Sequence, residues 1–311
     1  MERIFKKVVA AILMIIIVLQ FSACSNITVQ EKSESVFPNG LNNVSNEAYN
    51  FECNTNVYLL KDKFIYTTLD ESENNNFGSP QKLMICDLVS GNVKSADIKP
   101  LSDIYNMCYV NDKLFFTAYA DTATDWGFCL FSYDIENDEL ETIYETPNTV
   151  HDIMLTVCSD TIFYCANADN QENIRGENCF NLHMYADDTD KVLAKDLPYD
   201  AIAGSDSAGA YFALNENEYI HVDLEGNKKF VTEEQAATAE NGYLSGDAEK
   251  GLEYIAMFGD YKIGLAEEKP YSNTDNENDC GYKYSAYYYL YDTKTSKEYK
   301  LTKIENWHYY I

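Results

Sequence analysis

Residues 290–301 read LYDTKTSKEYKL: an aromatic strand, an aspartate, a polar turn and a second strand. Alone, this is one hairpin in a tyrosine-rich tail. The same phrase, however, occurs four times upstream. Strands ending at an aspartate are KLMICD (82–87), CLFSYD (129–134), LHMYAD (182–187) and YIHVD (219–223), with YYLYD (288–292) as the fifth. Each is followed by a polar turn and another strand: SGNVKSADI, ENDELETIY, DTDKVLAKDL, EGNKKFVTE and KTSKEYKL.

A second phrase stands before each of these, a short turn running into an apolar strand. Its copies are KDKFIYTT (61–68), NDKLFFTA (111–118), SDTIFYCA (159–166), SAGAYFAL (207–214) and GDYKIGLA (259–266). The second residues, Asp62, Asp112, Asp160, Ala208 and Asp260, follow one another at 50, 48, 48 and 52 residues. One more apolar segment precedes each turn (VYLL, MCYV, IMLTVC, AIAGS and YIAMF). The unit therefore has four strands, A to D, in a meander.

A single unit cannot bury both faces of its sheet, so neighbours must stack around an axis. Four-stranded units repeating at this length predict an all-β chain folded as a β-propeller of antiparallel blades. Five repeats are complete. ENWHYYI (305–311) reads as a sixth strand A with nothing after it, either closing the ring near Tyr49–Cys53 or left from a sixth, incomplete or shared blade. The architecture loosely resembles bacterial propeller lipoproteins of the YWTD- or YncE-like kind, without their hallmark tetrapeptides.

The N-terminus is read apart from the fold. Arg3, Lys6 and Lys7 precede an apolar run from Val8 to Leu19, shorter than the roughly 20 residues of a spanning helix. Small residues follow, as in a signal peptide. Phe21-Ser22-Ala23-Cys24 resembles a bacterial lipobox, with Phe21 where leucine is usual. The resemblance implies a signal peptide over 1–23, a lipid on Cys24 and a chain held on the outer face of a bacterial membrane. Residues 24–48 are polar and aperiodic and read as a flexible tether, leaving 49–311 for the propeller.

The formal charge is −28, and cleavage after Ala23 makes it more negative by two. Such a chain repels phosphate backbones, which excludes nucleic acid as a partner. Of the eight cysteines besides Cys24, five (Cys86, Cys108, Cys129, Cys158 and Cys165) fall inside apolar strands. They are expected to be buried thiols rather than a disulfide framework.

Strand direction alternates, so A–B and C–D turns share one face of the disc and B–C and D–A loops the other. The first set is short and rich in Gly and Asn. The B–C loops are long: 70–81, 121–127, 169–179 and 268–283. Binding residues concentrate in loops held on a rigid scaffold, so this face is where a glycan, peptide or protein partner is expected. A polar residue precedes each strand A: Asn56, Asn106, Asp152, Asp200, Glu253 and, if the last strand counts, Asn306. These would ring the mouth of the central channel, or else satisfy backbone groups where the chain turns inward. Asn106, Asp152, Asp200 and Glu253 are the binding candidates, with Trp126 as an aromatic face.

The alternative is a carbohydrate-active enzyme with Asp152, Asp200 and Glu253 as rim carboxylates. That chemistry needs a carboxyl pair about 5–5.5 Å or 6.5–9.5 Å apart. No catalytic or nucleotide-binding motif is present, and no cofactor is expected. Asp275, Glu277 and Asp279 alternate like the start of a calcium loop. However, Cys280 occupies the sixth position and no glutamate the twelfth, so a solvated acidic loop is the reading, with Ca2+ as the alternative. His183 and His221 fall in C strands, where local hydrogen bonds are expected of them.

Overall fold

The computed structural model describes residues 36–44, 56–70, 80–99, 101–121, 126–146, 153–172, 178–197, 202–215, 218–237, 252–267 and 281–309. Within them the chain is a β-propeller built of consecutive four-stranded antiparallel units. The first comprises β1 (Val57–Leu59), β2 (Lys63–Leu69), β3 (Pro80–Asp87) and β4 (Val93–Ser95). The second is β5 (Leu101–Val110), β6 (Lys113–Asp121), β7 (Trp126–Asp134) and β8 (Glu139–Glu145). In the third, β9 (Met154–Cys158), β10 (Thr161–Glu172), β11 (Asn178–Ala186) and β12 (Thr189–Leu197) follow the same order. The fourth has β13 (Ile202–Asp206), β14 (Gly209–Asn215), β15 (Glu218–Asp223) and β16 (Lys228–Val231), then the short helix α1 (Glu233–Ala237). Strands β17 (Leu252–Phe258), β18 (Tyr261–Glu267), β19 (Gly281–Asp292) and β20 (Lys297–Tyr309) form the fifth. Pairing runs in chain order within each unit, as the repeat predicts.

Burial falls from inner to outer strands, because inner strands lie between neighbouring units. All of β1 is buried, and β2 buries Phe64, Ile65, Tyr66 and Thr67 in succession. The fourth strands β8 and β16 are largely solvent-facing. Aromatic rings fill the joints between units. Tyr58 meets Phe258 edge-on at 5.1 Å, Phe64 meets Tyr288 at 5.2 Å, Phe115 meets Tyr185 at 5.6 Å and Phe163 meets Phe212 at 6.0 Å. One buried cluster joins the fifth, first and second units, another the second and third, and another the third and fourth. Among the described residues no buried cluster joins the fourth unit to the fifth. The five strand cysteines named above are buried and in no disulfide.

The repeated aspartate has a local cause. Asp87 Oδ1 accepts from the backbone N–H groups of Val89 and Ser90, and Asp134 Oδ1 from those of Glu136 and Asn137. Asp223 does the same for Glu225 and Asn227, and Asp292 for Lys294 and Thr295. Each aspartate thus closes its own C–D turn as an Asx turn. Four residues on, the chain passes through the left-handed region at Gly91 (φ 75°), Asp138 (58°) and Ser296 (54°) before strand D begins. The third unit instead has a two-residue turn with Asp187 and Asp188 both at positive φ (49° and 54°), the hairpin geometry these residues tolerate.

Three expectations are corrected. Residues 305–309 are not a sixth strand A: they continue β20 and pair with 281–285 of β19, from Gly281↔Tyr309 to Ser285↔Glu305. β19 runs back to Gly281, so β20 pairs with it along that length within the same unit, and the backbone of Asn306 lies opposite that of Tyr284. The B–C connections are shorter than their polar sequences imply, since pairing extends into them: Asp121 faces Trp126, and Glu172 faces Asn178. The tether expected over 24–48 is packed over residues 36–44. There the Leu41 N–H donates to the Lys61 carbonyl at 2.7 Å, and the Phe37 N–H donates to the Leu88 carbonyl at 2.6 Å. On the other side Phe37 packs edge-on against Tyr299, the Asn42 N–H reaches the Tyr261 hydroxyl at 3.3 Å, and Asn43 Nδ2 reaches Asp260 at 3.1 Å. The segment is a strap over the joint between the first and fifth units. Gly40 permits its turn: φ is +67°, and a Cβ there would come within 2.9 Å of the Lys61 carbonyl oxygen.

Candidate functional site

The two faces of the propeller differ in how their acidic groups are used. On the A–B/C–D face the turn aspartates are occupied. The Ser90 N–H holds the Asp87 carboxyl below the usual carboxylate range. The Asn137 N–H does so for Asp134, and the Asn227 side chain for Asp223. At Asp292 desolvation opposes the Thr295 hydrogen bonds, and the hydrogen bonds prevail. Lysines stand beside several other carboxylates of this face: Lys63 by Asp62 at 2.7 Å, Lys94 by Asp138 at 3.7 Å, and Lys113 by Glu141 and Asp188 at 3.8 and 3.7 Å. Tyr133 also donates a short hydrogen bond to Asp138. This acidity is scaffold chemistry.

The B–C/D–A face holds the candidates. Asp152, Asp200, Asp275, Glu277 and Asp279 lie outside the described residues, as does Cys24. The backbone of Glu253 pairs with Leu265 in β17–β18, and that of Trp126 with Asp121 at the B–C end of the second unit. Asn106 is in a different place from the one expected of a ligand contact. Its register slips between Tyr105 and Cys108, φ is 55°, and the side chain turns into the joint between the second and third units. Only 1% exposed, it donates through Nδ2 to Thr117 Oγ1 and to the Ile153 carbonyl, both at 3.0 Å. Asn56 makes the equivalent bond to Thr67 Oγ1 at 3.2 Å. In these two copies the recurrent polar residue staples strand A to strand B.

His183 and His221 serve locally. His183 Nδ1 contacts Asp190 Oδ2 at 2.9 Å while its ring stacks on Tyr164 at 4.5 Å and meets Tyr144 edge-on at 4.8 Å. His221 packs against Tyr211, which donates to Asp206 at 2.6 Å.

One residue on this face was not singled out by the sequence. Asp103 sits in β5, where the first two sheets join through Pro80↔Ser102 and Gln81↔Leu101. The register of β5 against β6 skips from Ser102 to Tyr105, so Asp103 and Ile104 bulge, and Asp103 has φ 51°. The bulge is pinned by the Ile104 N–H, which donates to Gln81 Oε1 at 3.0 Å. Desolvation pushes the half-buried Asp103 carboxyl above its ordinary range, opposed by a hydrogen bond at 3.5 Å from the Tyr105 hydroxyl. On the adjoining strand β3, Lys82 pairs with the buried Asp70 at 2.9 Å. A bulge leaves no mark in composition or period, which is why Asp103 reads as an ordinary strand residue. Among the described residues no group of three or more His, Cys, Asp and Glu side chains is placed to hold a metal ion.

No protein-family model matches the chain. Comparison with curated proteins finds no match either. Solved structures do resemble it. The β-propeller domain of the Trilobed protease from Pyrococcus furiosus aligns with a TM-score of 0.43 and 13% identity, over 79% of this chain and 84% of that one. TolB from Acinetobacter baumannii aligns with a TM-score of 0.34 and 9% identity, over 79% of this chain and 54% of TolB. An oligogalacturonate lyase in complex with manganese aligns with a TM-score of 0.35 and 10% identity, over 88% and 72%. The propeller assignment itself rests on the sheets described above.

Proposed function

We propose that the protein is a binding protein anchored through Cys24 to the outer face of a membrane, meeting a glycan, peptide or protein partner with its B–C/D–A face. The observation that carries this reading is the asymmetry between the faces. On the A–B/C–D face the turn aspartates are committed to their own backbone turns. On the opposite face Asp103 is half-buried with one long hydrogen bond, on a strand bent by two bulges. Strain of that kind persists where surrounding structure enforces it, and it clusters at binding sites. The anchor rests on the lipobox-like order of residues 3–24.

The test compares the soluble chain with a variant in which 268–280 is replaced by a short Gly-Ser linker, leaving β19 whole. Both are probed on glycan and peptide arrays. Loss of a signal in the variant is expected, and equal binding by both removes that connection from the site. Radiolabelled fatty-acid incorporation into the full-length chain, abolished by Cys24→Ala, tests the anchor.

A further inference from the structure

We infer that Asp103 is the anchor of a cation subsite on the B–C/D–A face, taking the ammonium group of a lysine-bearing peptide. The inference rests on the reading of that face as the binding face and narrows its ligand.

Three features carry it. The first is placement. The bulge at Asp103 and Ile104 stands where β3, β5 and β6 meet, and Ile104 is wholly buried while Asp103 and Tyr105 stay partly exposed. The Gln81–Ile104 bracket fixes the backbone from which the carboxyl projects, so its direction is built in.

The second feature is the missing counter-charge. A half-buried carboxylate is normally compensated by a basic group or several hydrogen bonds, because desolvation disfavours its charged form. Here the Tyr105 hydroxyl stands at 3.5 Å, the limit of a hydrogen bond. Among the described residues no ion pair includes Asp103, and Lys82 on the adjoining strand is held by Asp70. Elsewhere, on both faces, lysines stand beside Asp62, Asp70, Asp138 and Asp188. An arriving ammonium supplies the charge that the scaffold withholds. A neutral hydroxyl does not.

The third feature is the field. A chain of formal charge −28 attracts cations and repels anions at long range, which raises encounter rates for a basic peptide. Field alone would bind such a peptide anywhere on the surface, so the claim is about one carboxyl.

The experiment titrates the detergent-solubilised full-length chain with acetyl-Gly-Lys-Gly-amide, with its Nε-acetylated counterpart and with maltotriose, following binding by calorimetry and NMR shifts. Asp103→Asn keeps the shape and suits a left-handed backbone, while Asp103→Gly removes the carboxyl and relieves the φ of 51°. Asp112→Asn, an exposed turn residue on the other face, is the control for general charge. Thermal melts confirm that all three variants fold. The expected result is binding of the charged peptide alone, weakened at least about tenfold by both Asp103 variants and unchanged by Asp112→Asn. One tenfold step corresponds to about 1.4 kcal/mol. The inference is overturned if the acetylated peptide binds as well as the charged one. It is overturned equally if the Asp103 variants bind like Asp112→Asn, if maltotriose is preferred, or if the wild-type chain binds no probe. Each of those results leaves the broader reading to the linker variant, which alters 268–280 and leaves Asp103 in place.

Discussion

The Tyr66 hydroxyl lies 3.3 Å from Thr302 Oγ1, a buried contact between β2 of the first unit and β20 of the fifth, 236 residues apart in sequence. It joins the two ends of the repeat directly. Tyr66→Phe removes the hydroxyl without changing the ring packing on Phe64 and Tyr288. The expected cost is about 0.5–1.5 kcal/mol, a fall in Tm of a few degrees for a domain of this size. An unchanged melt would show that the contact contributes nothing to closure.

The strap over residues 36–44 is expected to stabilise the propeller. Leu41 is 3% exposed, and truncating it to alanine should cost about 2–5 kcal/mol. Gly40→Ala meets both a positive φ and the Lys61 carbonyl, so it too should destabilise. Urea unfolding measures both variants. If removing residues 1–44 leaves the midpoint unchanged, the segment is a tether after all.

Asn106→Ala separates scaffold from site. It leaves the Thr117 hydroxyl and the Ile153 carbonyl without their Asn106 donor in a buried joint, at about 1–3 kcal/mol. Stability should fall while ligand affinity of the folded fraction stays the same. A selective loss of affinity with normal stability would return Asn106 to the binding surface.

Acid stability should depend on the turn aspartates. Asp87, Asp134, Asp223 and Asp292 hold carboxyls below the unfolded value of about 3.9, so in the folded state they bind protons less readily. Their stabilisation is full above that value and is lost as pH falls through the depressed folded values. Replacing all four with asparagine keeps the side-chain acceptors but removes the titration. Urea midpoints measured from neutral pH down to pH 2–3 should therefore fall less steeply in the variant, and parallel curves would refute the assignment.

The alkaline limb has the opposite sign. The hydrogen bond to Asp206, with burial, pushes Tyr211 up to about 12, and burial, with the Asp188 hydrogen bond, pushes Tyr185 up to about 12. A raised value means stability that is complete below the unfolded value of about 10 and is lost as pH rises from there to about 12. Phenolate absorbance should show these two tyrosines titrating late, and unfolding midpoints should decline over the same window. Tyr211→Phe should flatten the decline.

The architecture was legible because it is written five times. A phrase such as "strand, aspartate, turn, strand" survives noise in any one copy, and in four of the five copies its aspartate has one physical job, closing the C–D turn. The strap was not legible, because Leu41 is buried, and Phe37 and Val44 pack partly buried beside it, in a coil that has no period to detect. Strand ends were misjudged where polar sequence still pairs, as at Glu172↔Asn178 and along 281–285. The proposed site was legible only as a face. Asn56 and Asn106 share a staple to strand B, whereas the bulge that carries Asp103 is, among the described residues, a feature of the junction between the first two units.

Each unit is made from one uninterrupted stretch of chain, and no described sheet borrows a strand from the opposite terminus. A chain delivered N-terminus first can therefore complete one sheet for each 48–52 residues that appear, without waiting for a distant partner. Among the described residues, the joint between the first and fifth units and the seating of the strap over it require both ends to be present. Order of assembly is thus set by order of synthesis, and the slow, long-range step is confined to one joint at the close.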